Sequence, residues 1–357
     1  MLFPIKFVFR GVLIWLALVF SAGLSAENVE GLYDVSIAVE TQLDKDRIQV
    51  TREALAIVFV RVSGDSQILE QAAIQNAISD ASSYTKRFSY ESRVVGDDTQ
   101  LYVELEFEAT LVDKKLRDAG LPFWSATRPN ILLWMVVEDT NGRRFINAEE
   151  DAEIFAAIRS HATRRGLVLR LPALDLEDTI AVSADDIWRL HSHKAKSAAQ
   201  RYKANTLLFA RATQLTNGTW LGRWLFDSRM NEIEFDGEAD TTDQYIGSAF
   251  DLVADDLARQ YAIEPVDIAD NGVIMRLTGV SQFVHYARAI RYLESVSAIR
   301  HANVVRISDN EIVIRLVADG SLSQLQQSLA LDKKLQPIGS GDYQGAESID
   351  LNFHWPS

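Results

Sequence analysis

No cysteine occurs anywhere in the chain, and this constrains its fold more than any other feature. Disulfides, thiolate ligands, thiol nucleophiles and a lipid-modified N-terminal Cys are all excluded. The exclusion gains weight from residues 1–26, which read as a signal peptide. Lys6 and Arg10 give a positive start, Gly11 to Phe20 is wholly apolar, and Ser21 to Ala26 offers small residues to a peptidase. The apolar run is shorter than the roughly 20 residues a relaxed span needs, so cleavage is expected. Leu24, large for its place before a cut after Ala26, keeps an uncleaved anchor open as the alternative. The expectation is a periplasmic chain with no membrane span after signal cleavage. Such a chain must hold itself together by packing alone, and about 330 residues suffice for two or three cores.

Charge narrows the partners. There are 36 basic and 50 acidic residues, a net −14, and the leader's two cations put the remainder at −16. That balance repels polyanions at long range, so neither nucleic acid nor an anionic lipid surface is an expected partner. A charged fraction of 24 % beside 47 % hydrophobic residues is globular, not disordered.

Three mixed α/β modules are expected, an α/β (α+β) fold class, at 27–128, 129–265 and 266–340, with a tail at 341–357. In the first, Tyr33 to Val39 alternates as a strand. Lys45 to Val62 and Ser66 to Ala81 carry apolar residues at helical spacing. A hairpin turns at Gly96-Asp97-Asp98. On its return strand Leu101, Val103, Leu105 and Phe107 alternate with Tyr102, Glu104, Glu106 and Glu108. A short helix around Val112 to Ala119 closes the module.

The middle module opens with the continuous apolar run Asn130 to Val137, as in a strand covered on both faces. A helix from Glu149 ends at Gly166, a strand spans Leu167 to Leu171, and Pro172 to Thr179 reads as a loop. One helix is expected from the cap at Ser183-Ala184-Asp185-Asp186 to about Lys203. A hairpin follows across Asn217-Gly218, then a strand at Glu232 to Phe235 and a helix striped by Ile246, Phe250, Val253, Leu257 and Tyr261. Beyond a linker at Val266 to Asn271, the order of elements is the ferredoxin-like βαββαβ unit. Ile349, Leu351, Phe353 and Trp355 alternate as one further terminal strand.

Chemistry-bearing residues are present, but none of them forms a catalytic, metal or cofactor pattern. Glu104, Glu106 and Glu108 could meet a hard cation, yet read first as a solvated sheet face. His191 and His193 stand two apart, which on a helix points them to nearly opposite sides. Asp185-Asp186 and Asp255-Asp256 read as first-turn and surface charges on helices. Trp220, Trp224 and Phe226 share one strand face, as core or interdomain surface before a sugar platform. Pro122, Trp124, Arg128 and Pro129 mark the junction of the first two modules. Two readings compete there: a structured joint with Trp124 packed and Arg128 bonded to carbonyls or an acid, or a partner-binding site built on Trp124 and Arg128.

Those junction residues carry a likeness. Leu121-Pro122-Phe123-Trp124, Thr127-Arg128-Pro129, Ile131-Leu132-Leu133-Trp134 and Arg143-Arg144, with Arg61-Val62-Ser63-Gly64 upstream, resemble an uncharacterised family of exported gammaproteobacterial proteins, a domain of unknown function, from about Glu30 to Gln260. The middle segment, with Ala204 to Phe209 entering its hairpin, is similar to modules of envelope accessory proteins. These are curli-secretion lipoproteins, activators of penicillin-binding proteins, flagellar assembly factors and the N-terminal domain of TolB. That resemblance implies binding of another envelope protein or the cell wall; without a Cys, lipid anchorage does not carry over.

The expected function is therefore a non-enzymatic periplasmic accessory or scaffold protein. One alternative is an envelope hydrolase with a site assembled from dispersed carboxylates, Asp175, Glu177 and Asp178 first. Another is a small-ligand binding module with a pocket between the first two segments.

Overall fold

The computed structural model describes residues 26–96, 98–140, 142–204, 206–228, 231–265, 272–308, 310–331, 334–339 and 348–356. Residues 1–25 of the expected leader, the linker at 266–271 and residues 341–347 of the expected tail lie outside the described residues. Among the described residues the chain is a mixed α+β protein built on three sheets.

β1 (Ala26–Asn28) pairs antiparallel with Thr127 to Pro129. The first sheet then joins β2 (Asp34–Ala38), β3 (Thr85–Val95) and β4 (Asp98–Phe107) in the order β2-β4-β3. Val103, Leu105 and Phe107 are buried, and the opposite face carries Glu104 and Glu106. Against the packed face lie α1 (Asp44–Ser63), α2 (Ala72–Ser79) and α3 (Ala109–Asp118). The helix expected from Ser66 to Ala81 is divided. A 3₁₀ turn at Ser66–Glu70, capped by Asp65, gives way to α2 through extended Gln71.

The middle sheet is centred on β5 (Thr127–Asp139), buried from Arg128 to Val137. Ile131, Leu133, Met135 and Val137 enter one core and Leu132, Trp134 and Val136 another, which explains the unbroken apolar run. Around it stand β6 (Gly142–Phe145), α4 (Ala152–Arg165), β7 (Val168–Arg170), α5 (Leu176–Ala181), α6 (Ala184–Trp188), α7 (Ser192–Ala199), β8 (Thr206–Gln214), β9 (Trp220–Asp227), β10 (Glu232–Ala239) and α8 (Thr242–Tyr261). β8 runs parallel to β5 along one edge. On the other edge β7 pairs with Asn130 to Leu132 and β6 with Val136 to Asp139. α4 and α8 cover one face, and α6 and α7 the other.

Three expectations fail in this module. The loop at Pro172 to Thr179 contains the start of α5, capped by the Asp175 side chain. The single helix from Ser183 to Lys203 is broken at Leu190, whose φ of 54° ends α6, and a 3₁₀ turn at Gln200–Tyr202 follows α7. The strand expected to stop at Phe235 runs on to Ala239.

The third sheet comprises β11 (Val273–Thr278), β12 (Ile299–Ser308), β13 (Glu311–Ala318), β14 (Gln336–Pro337) and β15 (Leu351–His354), with α9 (Phe283–Ser295) and α10 (Leu322–Leu331). Its order is β12-β13-β11-β15-β14. The βαββαβ succession is present with one addition. β15, placed in a tail by its position in the chain, pairs parallel with β11 and leaves β14 at the edge. Leu351 and Phe353 are buried there, which ties this strand to the sheet. Phe123 and Ile263 exchange backbone hydrogen bonds of 3.0 and 2.8 Å and lie in the buried cluster that spans the first and third sheets.

Candidate functional site

The edge of β5 opposite β8 has a gap. Neither β6 nor β7 pairs with Leu133 or Trp134, and Met135 accepts one hydrogen bond, from Ile146 N–H at 3.2 Å. A pocket of about 280 Å³ opens at this gap, lined by Leu133, Met135, Phe145, Ile146, Phe155 and Leu171 together with the loops at 147–148 and 172–174. It lies at the carboxyl end of β7, where the chain passes from the α4 face of the sheet to the α6–α7 face. Crevices of this kind are the usual ligand positions of open α/β sheets. A shallower depression along α4 and β7 shares Phe155 and Leu171 with it.

Both walls are held by charge. On one, Asp151 accepts two hydrogen bonds from Arg144, at 2.6 and 3.0 Å, and one from Asn147 N–H at 2.9 Å. Asn147 Oδ1 in turn accepts from the N–H groups of Glu149 and Glu150. The bond to Asp151 raises the Arg144 pKa above its ordinary value. On the other wall, buried Asp178 accepts from Leu174 N–H at 2.9 Å, from Arg201 at 3.1 Å and from the Tyr202 hydroxyl. Leu174 itself is held at φ 53°, and Ala173 N–H donates to Tyr202 Oη. The pocket is apolar inside and rigidly framed, as binding sites built before their ligand arrives are.

Asp175, Glu177 and Asp178 therefore come together, but around Arg201. The hydrogen bond from Arg201, then that from Asp178 N–H, holds the Asp175 carboxyl well below the usual carboxylate range. A carboxylate so neutralised is poorly matched to general acid–base work near neutral pH. These groups fix a wall.

Trp124 and Arg128 are sealed in the joint, where neither side chain offers a surface to a partner. Arg128 donates to the carbonyls of Ser125, Arg165, Gly166, Arg61 and Trp124. Two further arginines are buried beside it. Arg61 donates to the carbonyls of Gly31, Leu32 and Asp34, and Arg165 to Gly64 O and Asp255. Burial pulls the Arg61 guanidinium down to about 10, and burial together with Arg61 and Arg165 pulls Arg128 down to about 9. The Trp-Arg pair thus occupies a structured joint, and partner binding through it would need the joint to open.

The other candidates are placed as follows. Glu104 pairs with Arg93, and Glu106 with Lys86 and Arg87, while Glu108 leaves the strand to precede α3. His191 sits at the N-cap of α7, off the helix that was to separate it from His193. Asp186 closes a capping box with Ser183, and Asp185 pairs with Arg143. Asp255 bonds Ser66 and Arg165, and Asp256 is buried against Arg259 and Gln260. Trp224 is wholly buried against Tyr245, Phe235 and Phe250. Among the described residues no three His, Asp or Glu side chains gather to hold a metal ion, and no helix is long and apolar enough to cross a membrane.

A second cavity, of about 340 Å³, lies where the modules meet, lined by Ser63, Asp65, Pro122, Asp255, Glu264 and Gln324 among others. Some of its polar groups are already bonded. Asp65 accepts from Gln67 N–H, and Gln324 donates to Ala262 O.

Residues 26–125 match the family described as a domain of unknown function (DUF8605). That agrees with an uncharacterised domain in the first part of the chain. No curated protein matches. A solved structure titled "Crystal structure of uncharacterized protein" is similar at 10 % identity and a TM-score of 0.16, over 37 % of this chain and 98 % of that one.

Proposed function

We propose that the chain is a non-enzymatic accessory protein of the periplasm, which binds another envelope component through the pocket beside β5. The observation that carries this reading is an apolar cavity whose two walls are fixed by separate ion-pair networks. Its volume, about 280 Å³, falls just short of the roughly 300–1,000 Å³ of small-molecule sites. It suits one anchoring side chain of a partner, the usual centre of a protein interface. The signal-like leader supports the compartment, and the engagement of Asp175 and Asp178 with Arg201 weighs against these two as hydrolytic residues.

The test is a photo-crosslinking residue at exposed Ala148 in the producing cell, with a control at Thr99 on β4. A specific adduct from Ala148, lost when Ala173→Trp fills the pocket of a folded protein, is the expected result. Equal adducts from both positions, or an adduct indifferent to Ala173→Trp, would overturn the reading.

A further inference from the structure

The pocket is rimmed by negative charge. Residues 149–153 contribute four carboxylates and 175–178 three more, beside three guanidiniums, Arg144, Arg170 and Arg201. Arg144 and Arg201 are already bonded to carboxylates of these same loops. Glu149 and Glu153 stay exposed. An occupant that suits this site brings an apolar anchor flanked by cations.

The third module presents that chemistry. Phe283, the first residue of α9, is 82 % exposed, the highest value of any large hydrophobic residue described, and Val284 is 44 % exposed beside it. Val284, Arg288 and Arg291 recur at i, i+4 and i+7, so they form one stripe, and both arginines are exposed. Phe283 stacks on Tyr286 with ring centroids 5.9 Å apart, which steadies it outside the core. The charge of the chain is divided in the same sense. Residues 27–265 hold 40 acidic and 26 basic side chains, whereas 266–357 hold 10 acidic and 8 basic and are close to neutral.

Phe283 does not fill the pocket of its own molecule: it stands 82 % exposed, and none of the residues lining the pocket comes from the third module. Tyr292 and Ser295, near the far end of α9, line a small cavity with Ser125 to Thr127 at the start of β5. Phe283 lies nine residues before Tyr292, about 14 Å along the helix at about 1.5 Å per residue. Leu133 lies six residues beyond Thr127, about 20 Å along β5 at about 3.3 Å per residue. Phe283 and the pocket therefore each stand away from the joint along their own elements.

We infer that a second copy of this chain docks on the pocket beside β5, seating Phe283 of its α9 in the cavity and Arg288 and Arg291 against the acidic rim. The inference rests on the reading of the pocket as a docking site and names its occupant. The contact joins two different surfaces, so it repeats head to tail and builds chains or rings in place of a closed dimer.

Sedimentation of the purified protein over a concentration series tests it. Species beyond the dimer are expected, and Phe283→Asp should weaken association about tenfold or more without lowering the melting temperature. Charge reversal separates a specific contact from general stickiness. Arg288→Glu with Arg291→Glu, and Glu149→Arg with Glu153→Arg, should each give monomers alone and associate again when mixed. A wild-type protein monomeric at every concentration, association untouched by Phe283→Asp, or reversed variants that stay apart when mixed would overturn the inference. The accessory reading has its own readout. An Ala148 adduct to a different protein, with the purified chain monomeric, removes self-association and leaves that reading standing; no specific adduct removes it.

Discussion

The Arg128 guanidinium carbon lies over the Trp124 ring, 4.0 Å from its centroid, with both side chains sealed from solvent. The cation reaches carbonyls contributed by α1, by the end of α4 and by its own turn, so it fastens the first module to the second. A lysine has no planar fork to reach these groups together. Arg128→Lys should cost about 2 kcal/mol or more, because buried carbonyls lose their donors, and Arg128→Met somewhat more. Arg128→Met should still fall short of the sum of the lost bonds, since removing one of three neighbouring cations relieves Arg61 and Arg165. Urea unfolding checks this, and a loss under about 0.5 kcal/mol for Arg128→Lys would contradict the fastening role.

Two glycines at positive φ separate crowding from conformation. Gly166 has φ 63°, and a Cβ there would lie 2.6 Å from Arg128 Nη1 and 2.8 Å from Arg61 Cγ. Gly218, at φ 93° in the β8–β9 turn, would meet nothing within 4 Å. Gly218→Ala should cost about 1 kcal/mol for the left-handed backbone alone. Gly166→Ala should cost at least about twice that, since it also displaces the arginine cluster. Equal losses in denaturant titration would show that the cluster yields easily.

Local pattern carried the elements that pattern determines. The alternation from Leu101 to Phe107, the apolar run of β5 and the stripe of α8 each name their own buried face. What pattern missed was decided by distant residues. Arg61, Arg128 and Arg165 meet only after folding, and nothing in their spacing signals it. The break at Leu190 uses a left-handed conformation in a residue with no preference for one. α5 carries Leu176 and Ile180, 75 % and 78 % exposed, on its solvent side, so its apolar residues do not mark a buried face. The pocket is a gap in pairing between two strands contributed from either side of α4, and therefore has no linear signature.

Acid should loosen the frame of the pocket. Asp175 and Asp186 both have carboxyls held below their ordinary value, the first by Arg201 and the second by the Ser183 hydroxyl and Lys194. A depressed folded-state value means that the unfolded chain takes up protons first. The stabilisation is thus complete above the unfolded value of about 3.9 and fades as pH falls below it through the folded value. Amide resonances of residues 174–190 should therefore broaden or shift in this acid range before those of β5 and β8. Asp175→Asn should flatten that dependence. Simultaneous loss of all amide signals would place the acid-sensitive groups elsewhere.

Asp178 gives the sharpest test of the pocket as a preformed site. Its buried carboxylate accepts from Leu174 N–H, the Tyr202 hydroxyl and Arg201. Asp178→Ala leaves these donors without their acceptor, while Arg201 keeps Asp175. The cost should be about 3 kcal/mol, concentrated in the wall, because Leu174 loses the bond that helps to hold its positive φ. Amide exchange across 172–181 should then speed up by about tenfold or more, with β5 amides unchanged. The Ala148 adduct should weaken in parallel, since a loosened wall must be ordered again on binding and that cost comes out of affinity. Faster exchange in β5 as well would mean that the wall and sheet open together, and the pocket would then not be framed independently of the core.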